Sequence, residues 1–322
     1  HITKILKSLR KNSDYSEIYI YFDEFDQYTK AVLSTLETFC AFEKVKRYEL
    51  ISATIIKSQI LKELGDIPSS NVIDLWLDDS YDSEYYITYE DSEKSGHLIT
   101  VDAKDISFTK FIANCFMKYL TDFKNTVNFY GFVPSHVKRE THFQVSKMFS
   151  QFGITVCIMN SDYKGFLNPV VKFEDGLFNE PADQILYYKK KYNIKKLIVT
   201  GNMCIGRSVT LQKEGLVFDF AIYHHEVVTN CDQAYQLDRT KGNLKRFTNK
   251  IPYVFCTPKY KKWVTLGENF AIGMGVEGVS ENLSVQEYKK QVEQEQKNLP
   301  YDCKFIECNK ETFNSIKYQL TA

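Results

Sequence analysis

Ile18-Tyr-Ile-Tyr-Phe-Asp-Glu-Phe-Asp26 joins a β-favouring run directly to three carboxylates, and its reading decides the fold. Ile18 to Phe22 reads as a strand buried on both faces, which is the pattern of a parallel sheet. Asp23 and Glu24 then emerge together at the strand's carboxyl end, the edge at which open α/β sheets bind ligands. Hard oxygen donors there suit a Mg²⁺ ion that is itself bound to a nucleotide's phosphates. The same residues also fit an acidic turn capping the next helix, with Asp26 at or near the N-cap.

Outward from this stretch, Tyr28 to Lys46 has Val32, Leu33, Leu36, Phe39 and Cys40 at helical spacing, a buried stripe. Arg47 to Ile51 is the next strand, and it runs into Ser52-Ala-Thr54, so that strand, helix and strand form a βαβ unit with polar residues at both strand tips. Lys57 to Leu64 reads as a short helix closed by Gly65. From Val72 to Val101 the pattern is β-like, in the pieces Val72 to Leu77, Tyr85 to Tyr89 and His97 to Val101, separated by the turns Asp78 to Ser83 and Glu90 to Gly96. This reads as a connection leaving a first domain, with the boundary near Asp102.

Downstream, Ser107 to Phe123 is an amphipathic helix and Val127 to Val133 a strand, after which Pro134 and Ser135 open another helix that runs through Phe152. Backbone N–H groups at such a helix start can take a phosphate. Ile154 to Met159 is a strand with Asn160-Ser-Asp162 at its tip, and Lys195 to Gly201 is a strand that leads into Asn202-Met-Cys-Ile-Gly-Arg-Ser-Val-Thr210. Phe218 to Tyr223 is a strand tipped by His224-His-Glu226, and Asn230 to Lys241 reads as a helix carrying Gln236 and Arg239 at i and i+3, on one face. The adjacent His224 and His225 would point to opposite sides of a strand, and His136 and His142 fall on different helical faces, so neither pair is expected to share a metal. Pro252 to Cys256 is a final strand, Tyr260 to Ala271 a surface helix, and Asn282 to Asn298 a polar helix rich in Gln, Glu and Lys.

In order and spacing these stretches resemble the superfamily 2 helicases and translocases, most nearly those of large DNA viruses and phages. The resemblance spans roughly Ile18 to Cys256. It matches Asp23-Glu24 to motif II, Ser52-Ala53-Thr54 to motif III, Ser135 to motif IV, Thr200 with Gly206 and Ser208 to motif V, and Gln236 with Arg239 to motif VI. The chain departs from the family pattern in placing Ile205 before the motif V glycine and Arg207 after it, and in lacking the usual second arginine of motif VI, where Gly242-Asn243 follows Lys241. The resemblance implies two RecA-like α/β domains, a partial one over residues 1–102 and a second over 103–272, with an extension over 273–322. It implies ATP and Mg²⁺ as cofactors and DNA or RNA as partner. Asp23 would hold Mg²⁺, Glu24 would activate water, and Arg239 would stabilise the transferring phosphoryl group from across a cleft. Gly206, Ser208 and Gln236 would contact nucleotide. Ser52, Ala53 and Thr54 would couple nucleotide state to the nucleic-acid grip, and Ser135, Asn160 and Thr200 would face the nucleic acid.

Composition narrows these expectations. The 322 residues are 43% hydrophobic, with no apolar run near the roughly 18 residues that cross a bilayer, and His1 to Arg10 lack a signal-peptide core. The chain is therefore expected to be soluble and intracellular, in cytoplasm or nucleus, with no membrane partner. Its 8 cysteines include no C-x-x-C pair, so reduced thiols are expected, and Cys303 and Cys308 alone make a weak zinc signal. The 41 basic and 41 acidic residues cancel, so any binding of nucleic acid must be local.

No G-x-x-x-x-G-K-[ST] phosphate loop precedes Asp23. A missing N-terminal part of the same protein, or a separate subunit, is expected to supply it, and this stretch alone to hydrolyse ATP poorly or not at all. Two other readings stand beside this one. A helicase-like body could have kept a nucleic-acid or protein surface without catalysis, although retention of Asp23, Glu24 and Arg239 argues against that. An unrelated doubly wound enzyme would need a Gly-rich first turn that is not found.

Overall fold

A computed structural model describes residues 18–23, 45–51, 85–123, 127–205, 209–273, 290 and 294. The chain divides into two compact units, His1–Ile73 with Gly273–Lys290, and Asp74–Ile272 with Gln291–Ala322. In the first unit, strand β1 (Ile18–Asp23) pairs in parallel with β2 (Val45–Ile51), from Tyr19 opposite Arg47 to Asp23 opposite Ile51. Parallel pairing demands a crossover between the strands, as the βαβ reading expects. Most of the expected helix from Tyr28 lies outside the described residues; its last two positions, Val45 and Lys46, belong to β2. Glu24, Ser52, Ala53, Thr54, the Lys57 to Leu64 helix, the Val72 to Leu77 strand and nearly all of the 273–322 extension also lie outside them.

The second unit is α/β, with an open sheet of eight strands. Its elements in chain order are helix α1 (Tyr89–Lys94), β3 (Leu98–Thr100), α2 (Phe108–Phe123), β4 (Phe129–Phe132), α3 (Arg139–Ser150), β5 (Thr155–Met159), β6 (Lys164–Leu167), β7 (Val171–Lys172), α4 (Pro181–Lys191), β8 (Lys196–Gly201), β9 (Phe220–Tyr223), α5 (Cys231–Leu237), β10 (Tyr253–Cys256) and α6 (Pro258–Gly273). The strand order is β3-β10-β9-β4-β8-β5-β6-β7, and all pairings are parallel except those of β6, which runs against both β5 and β7. β3 hydrogen-bonds to β10, so Leu98–Thr100, which the sequence assigns to a connection before residue 102, is an edge strand of this sheet.

The central strands are buried on both faces, and alternate side chains serve two apolar clusters. Tyr130, Phe132, Leu197, Val199, Ala221 and Tyr223 meet residues of α4, α5 and α6, among them Ile185, Leu237 and Tyr260. Phe129, Ile198, Phe220 and Ile222 meet Phe111, Phe116, Tyr119 and Phe149 of α2 and α3. Period-2 alternation within each strand thus divides one sheet between two helical layers. Gly131 is required at the centre of β4, because a Cβ there would come within 2.4 Å of the Phe220 ring and 2.7 Å of Ile198 Cδ1.

Tyr85 to Tyr89 forms no strand beyond a bridge between Ile87 and Gly242, and the expected turn from Glu90 is helix α1. The cause is a capping box that the β reading passed over: Thr88 Oγ1 accepts from Asp91 N, and Thr88 N donates to the Asp91 carboxylate, both at 3.0 Å. Pro134 and Ser135 do not open a helix, since α3 starts at Arg139 with Lys138 as its N-cap. The helix at the end of the sheet is not a surface element, because Tyr260, Val264 and Glu268 of α6 are buried.

Phe220 lies 4.2 Å, centroid to centroid, from Tyr119 and against Phe116 and Phe129, so it joins α2 to the middle of the sheet. Phe220→Ala is expected to cost about 3–5 kcal/mol of unfolding free energy in a denaturant titration. A loss below about 1 kcal/mol would mean that this cluster is not the core.

Candidate functional site

Polar groups gather where the strands end, because the strand interiors admit none. At the carboxyl ends of β4 and β8, Ser135 Oγ and Thr200 Oγ1 lie 2.7 Å apart, and both residues are 0% exposed. Asn202 ties the neighbouring tips by donating from Nδ2 to Ser135 O at 2.6 Å and to Val227 O at 3.0 Å. Asn160 is 5% exposed, and its side-chain oxygen accepts from the backbone N–H groups of Asp162 and Tyr163 in the tight turn between β5 and the antiparallel β6. Its Nδ2 donates to His142 Nδ1 at 3.2 Å, while His142 Nε2 donates to His136 O at 2.8 Å. Burial holds the His142 pKa below its ordinary value, in keeping with this neutral tautomer. Of the residues expected from sequence to face nucleic acid, Ser135 and Thr200 therefore bond to each other, and Asn160 bonds to the backbone and to His142, beneath the surface.

The histidines behave differently from the sequence expectation. His224 and His225 leave β9 in a 3₁₀ turn and stack, with ring centroids 4.6 Å apart, instead of pointing to opposite sides of a strand. His224 packs against Phe111 and Phe108, and burial, with His225 and His136 nearby, pushes its pKa down to about 3. No group of three His, Cys, Asp or Glu residues among the described residues is arranged to hold a metal. Among the described residues, Cys115, Cys157, Cys204, Cys231 and Cys256 form no disulfide.

The segment from Asn230 to Lys241 is held less simply than a single helix would hold it. α5 begins at its N-cap Asn230, whose side chain accepts from Gln233 N at 2.9 Å, and it ends at Leu237. Asp238 is extended, and its Oδ1 accepts from Tyr223 OH, Thr240 N and Thr240 Oγ1. These side-chain bonds compete with continuation of the helix. Gln236 thus stands on α5 and Arg239 beyond it, so the expected one-face spacing does not place them together. Arg239 is set by other contacts: its N donates to Tyr223 OH at 2.9 Å, its O accepts from Gln212 Nε2 at 2.6 Å, and its Nε donates to Ile205 O at 3.2 Å. The last bond links Arg239 to the turn that follows β8. Gly206 and Ser208 lie outside the described residues. A cavity of about 330 Å³ opens beside this link, with Thr210, Gln212, Asp238, Arg239 and Lys241 in its wall.

A buried ionic cluster that the sequence reading did not find stands behind Asp238. Glu268 of α6 is 3% exposed and accepts from Tyr89 N, at the first turn of α1, at 2.9 and 3.2 Å. Lys241 Nζ donates to Ser92 Oγ at 2.7 Å and sits 4.2 Å from the centroid of the Tyr89 ring. Burial pushes Lys241 down and Asp238 up, and it pushes Glu268 up to about 8 although Lys241 opposes it. One signal was available in the sequence, the glutamate within an otherwise apolar helix face, but its partner lies 179 residues away. Asp23 ends β1, and a carboxylate at the tip of a parallel strand is a donor of the kind that Mg²⁺ takes. Comparison with known proteins finds no family model and no curated protein that matches the chain.

The Glu268 carboxyl makes a pH prediction. Its folded pKa of about 8 exceeds the ordinary 4.5, so ionisation costs stability; the cost is absent below pH 4.5 and complete above the folded value. Unfolding free energies of the wild type should fall across that window relative to those of Glu268→Gln, whose amide does not titrate while Lys241, Asp238, Asp91 and Glu90 remain. Parallel pH profiles for the two proteins would show that this carboxyl does not titrate there. Glu268→Ala, which also strips Tyr89 N of its acceptor, should cost about 1–3 kcal/mol near neutral pH.

Proposed function

We propose that this chain is part of a superfamily 2 helicase or translocase that couples ATP hydrolysis to movement on DNA or RNA. The observation that best supports the reading is the Arg239 Nε bond to Ile205 O beside the polar cavity, since it joins two stretches, 34 residues apart, that were matched independently to motifs V and VI. Arginine suits charge that spreads over a transferring phosphoryl group, because its planar fork donates to two oxygens at once. Asp23 would hold Mg²⁺, which on binding supplies charge neutralisation at the nucleotide's phosphates. Glu24 orients or deprotonates the attacking water, and a phosphate loop outside this stretch completes the site. Thr210 and Gln212, in the wall beside Arg239, join Gln236 as candidates to contact the nucleotide.

Two substitutions test the reading in the full-length polypeptide, or in a complex that supplies the phosphate loop. Glu24→Gln keeps shape and removes the base, so nucleic-acid-stimulated turnover should fall roughly 10²-fold or more while nucleotide binding survives. Arg239→Ala should cut turnover by about 10³-fold with much less effect on nucleotide affinity, and Arg239→Lys should restore little. Turnover and nucleotide affinity measured side by side decide the matter. If affinity collapses while saturated turnover is kept, or if neither changes, Arg239 acts only as a strut for the Ile205 turn.

A further inference from the structure

The chain is neutral overall, and the strand tips expected to meet nucleic acid have their polar groups internally bonded, so a local concentration of positive charge elsewhere carries weight. One lies on the last turn of α4 and the loop after it. Tyr187-Tyr-Lys-Lys-Lys-Tyr-Asn-Ile-Lys-Lys196 holds five lysines and three tyrosines and no carboxylate. Lys190, Lys191 and Lys195 are exposed and Lys189 is half-buried, and none of the four has an ion-pair partner among the described residues. Tyr187 and Tyr192 are 42% and 43% exposed, and Lys191 Nζ lies within 5.6–5.8 Å of the ring centroids of Tyr187, Tyr188 and Tyr192.

Helix chemistry explains part of this composition. Lysines in the last turn of α4 complement its negative end. That account stops at Lys191, because Lys195 and Lys196 lie beyond the helix, where β8 begins. It also leaves unexplained two exposed tyrosines among the lysines. The apolar side of α4, with Ala182, Ile185 and Tyr188, is already buried against the sheet, so the helix has no free apolar face to lay into a bilayer. Exposed cations interleaved with aromatic rings match the two things a flexible nucleic-acid strand offers, phosphates and unstacked bases. Lys250 stands just before β10, whose Tyr253 N donates to Asp219 O at 3.0 Å, and Asp219 precedes the parallel β9, so both lie on the sheet edge at which Lys196 opens β8. Lys250 therefore adds a sixth lysine near this edge.

We propose that the Tyr187 to Lys196 patch, with Lys250, is a binding surface for single-stranded nucleic acid on the strand edge opposite the Ser135 and Thr200 tips. Lys196 opens β8 and Gly201 closes it, so the two edges are separated by about 17 Å at roughly 3.3 Å per residue. The lysines hold phosphates, and Tyr187 and Tyr192 stack bases. This surface does not depend on nucleotide hydrolysis, and it is read in the absence of nucleotide, so its failure and that of the proposed enzyme are separable.

The test is fluorescence anisotropy of labelled 20-nucleotide DNA and RNA single strands of mixed sequence, titrated with the full chain over a salt series. Lys190→Glu/Lys195→Glu should weaken binding at least tenfold at low salt and lower the slope of log affinity against log salt by roughly 1.4, about 0.7 for each phosphate no longer neutralised. Tyr187→Ala/Tyr192→Ala should weaken binding about tenfold and leave the slope unchanged. Lys110→Glu/Lys147→Glu changes net charge equally on exposed positions of α2 and α3, the layer on the other face of the sheet from α4, and should have little effect. Equal weakening by the two lysine pairs, or no weakening by either patch variant, would overturn the proposal. So would binding of the wild type to vesicles containing phosphatidylserine but not to the oligonucleotides.

Discussion

The second unit is governed by the burial of its central strands on both faces. β4, β8 and β9 each send one side chain to the α2 and α3 layer and the next to the α4, α5 and α6 layer, so they have no surface on which a polar side chain could reach water. A buried polar group without a partner costs a few kcal/mol, so hydroxyls, amides and carboxylates are displaced to the strand ends, where the backbone still offers partners. The pairing of Ser135 with Thr200, and the two bonds of Asn202 to Ser135 O and Val227 O, are results of that constraint. They close the strand tips of β4 and β8 and link them to the turn after β9. Large rings need small neighbours under the same constraint, which is why Gly131 faces Phe220.

Where the constraint is relaxed, charge enters the fold in a compensated form. Glu268, Lys241 and Asp238 come from α6, from the segment after α5 and from its end, and each is shifted toward its neutral form by burial. Glu268 accepts from Tyr89 N at the first turn of α1, where the positive end of a helix also favours a carboxylate. Lys241 reaches Ser92 on the same helix. Through these contacts α1, which stands before the edge strand β3, is fastened to the segment that carries Arg239. The geometry of the candidate site therefore depends on a helix far away in sequence.

The same segment shows how function and packing share residues. Arg239 is bonded to Tyr223 OH, Gln212 Nε2 and Ile205 O, the first two through its backbone. A side-chain substitution there leaves the backbone bonds in place, so loss of chemistry can be told apart from loss of fold. Asp238 plays a purely positional part: by collecting Tyr223 OH and Thr240 it ends α5 and turns Arg239 toward Ile205.

By itself the sequence determined the α/β class and the positions of parallel strands in both units, because the apolar runs Ile18 to Phe22 in the first and Ile154 to Met159, Lys195 to Gly201 and Phe218 to Tyr223 in the second are local signals that need no partner to be read. Tertiary structure alone decided which polar residues face outward. Ser135 and Thr200 look like exposed strand tips one at a time, and become a buried pair only when β4 lies beside β8. The end of α5 before Arg239, the hairpin role of Asn160 and the burial of Glu268 likewise follow from contacts between distant segments, and long-range pairing leaves no periodicity in the chain. The capping box of Thr88 and Asp91 differs, since a four-residue motif was present and was outweighed by the β-branched and aromatic residues before it.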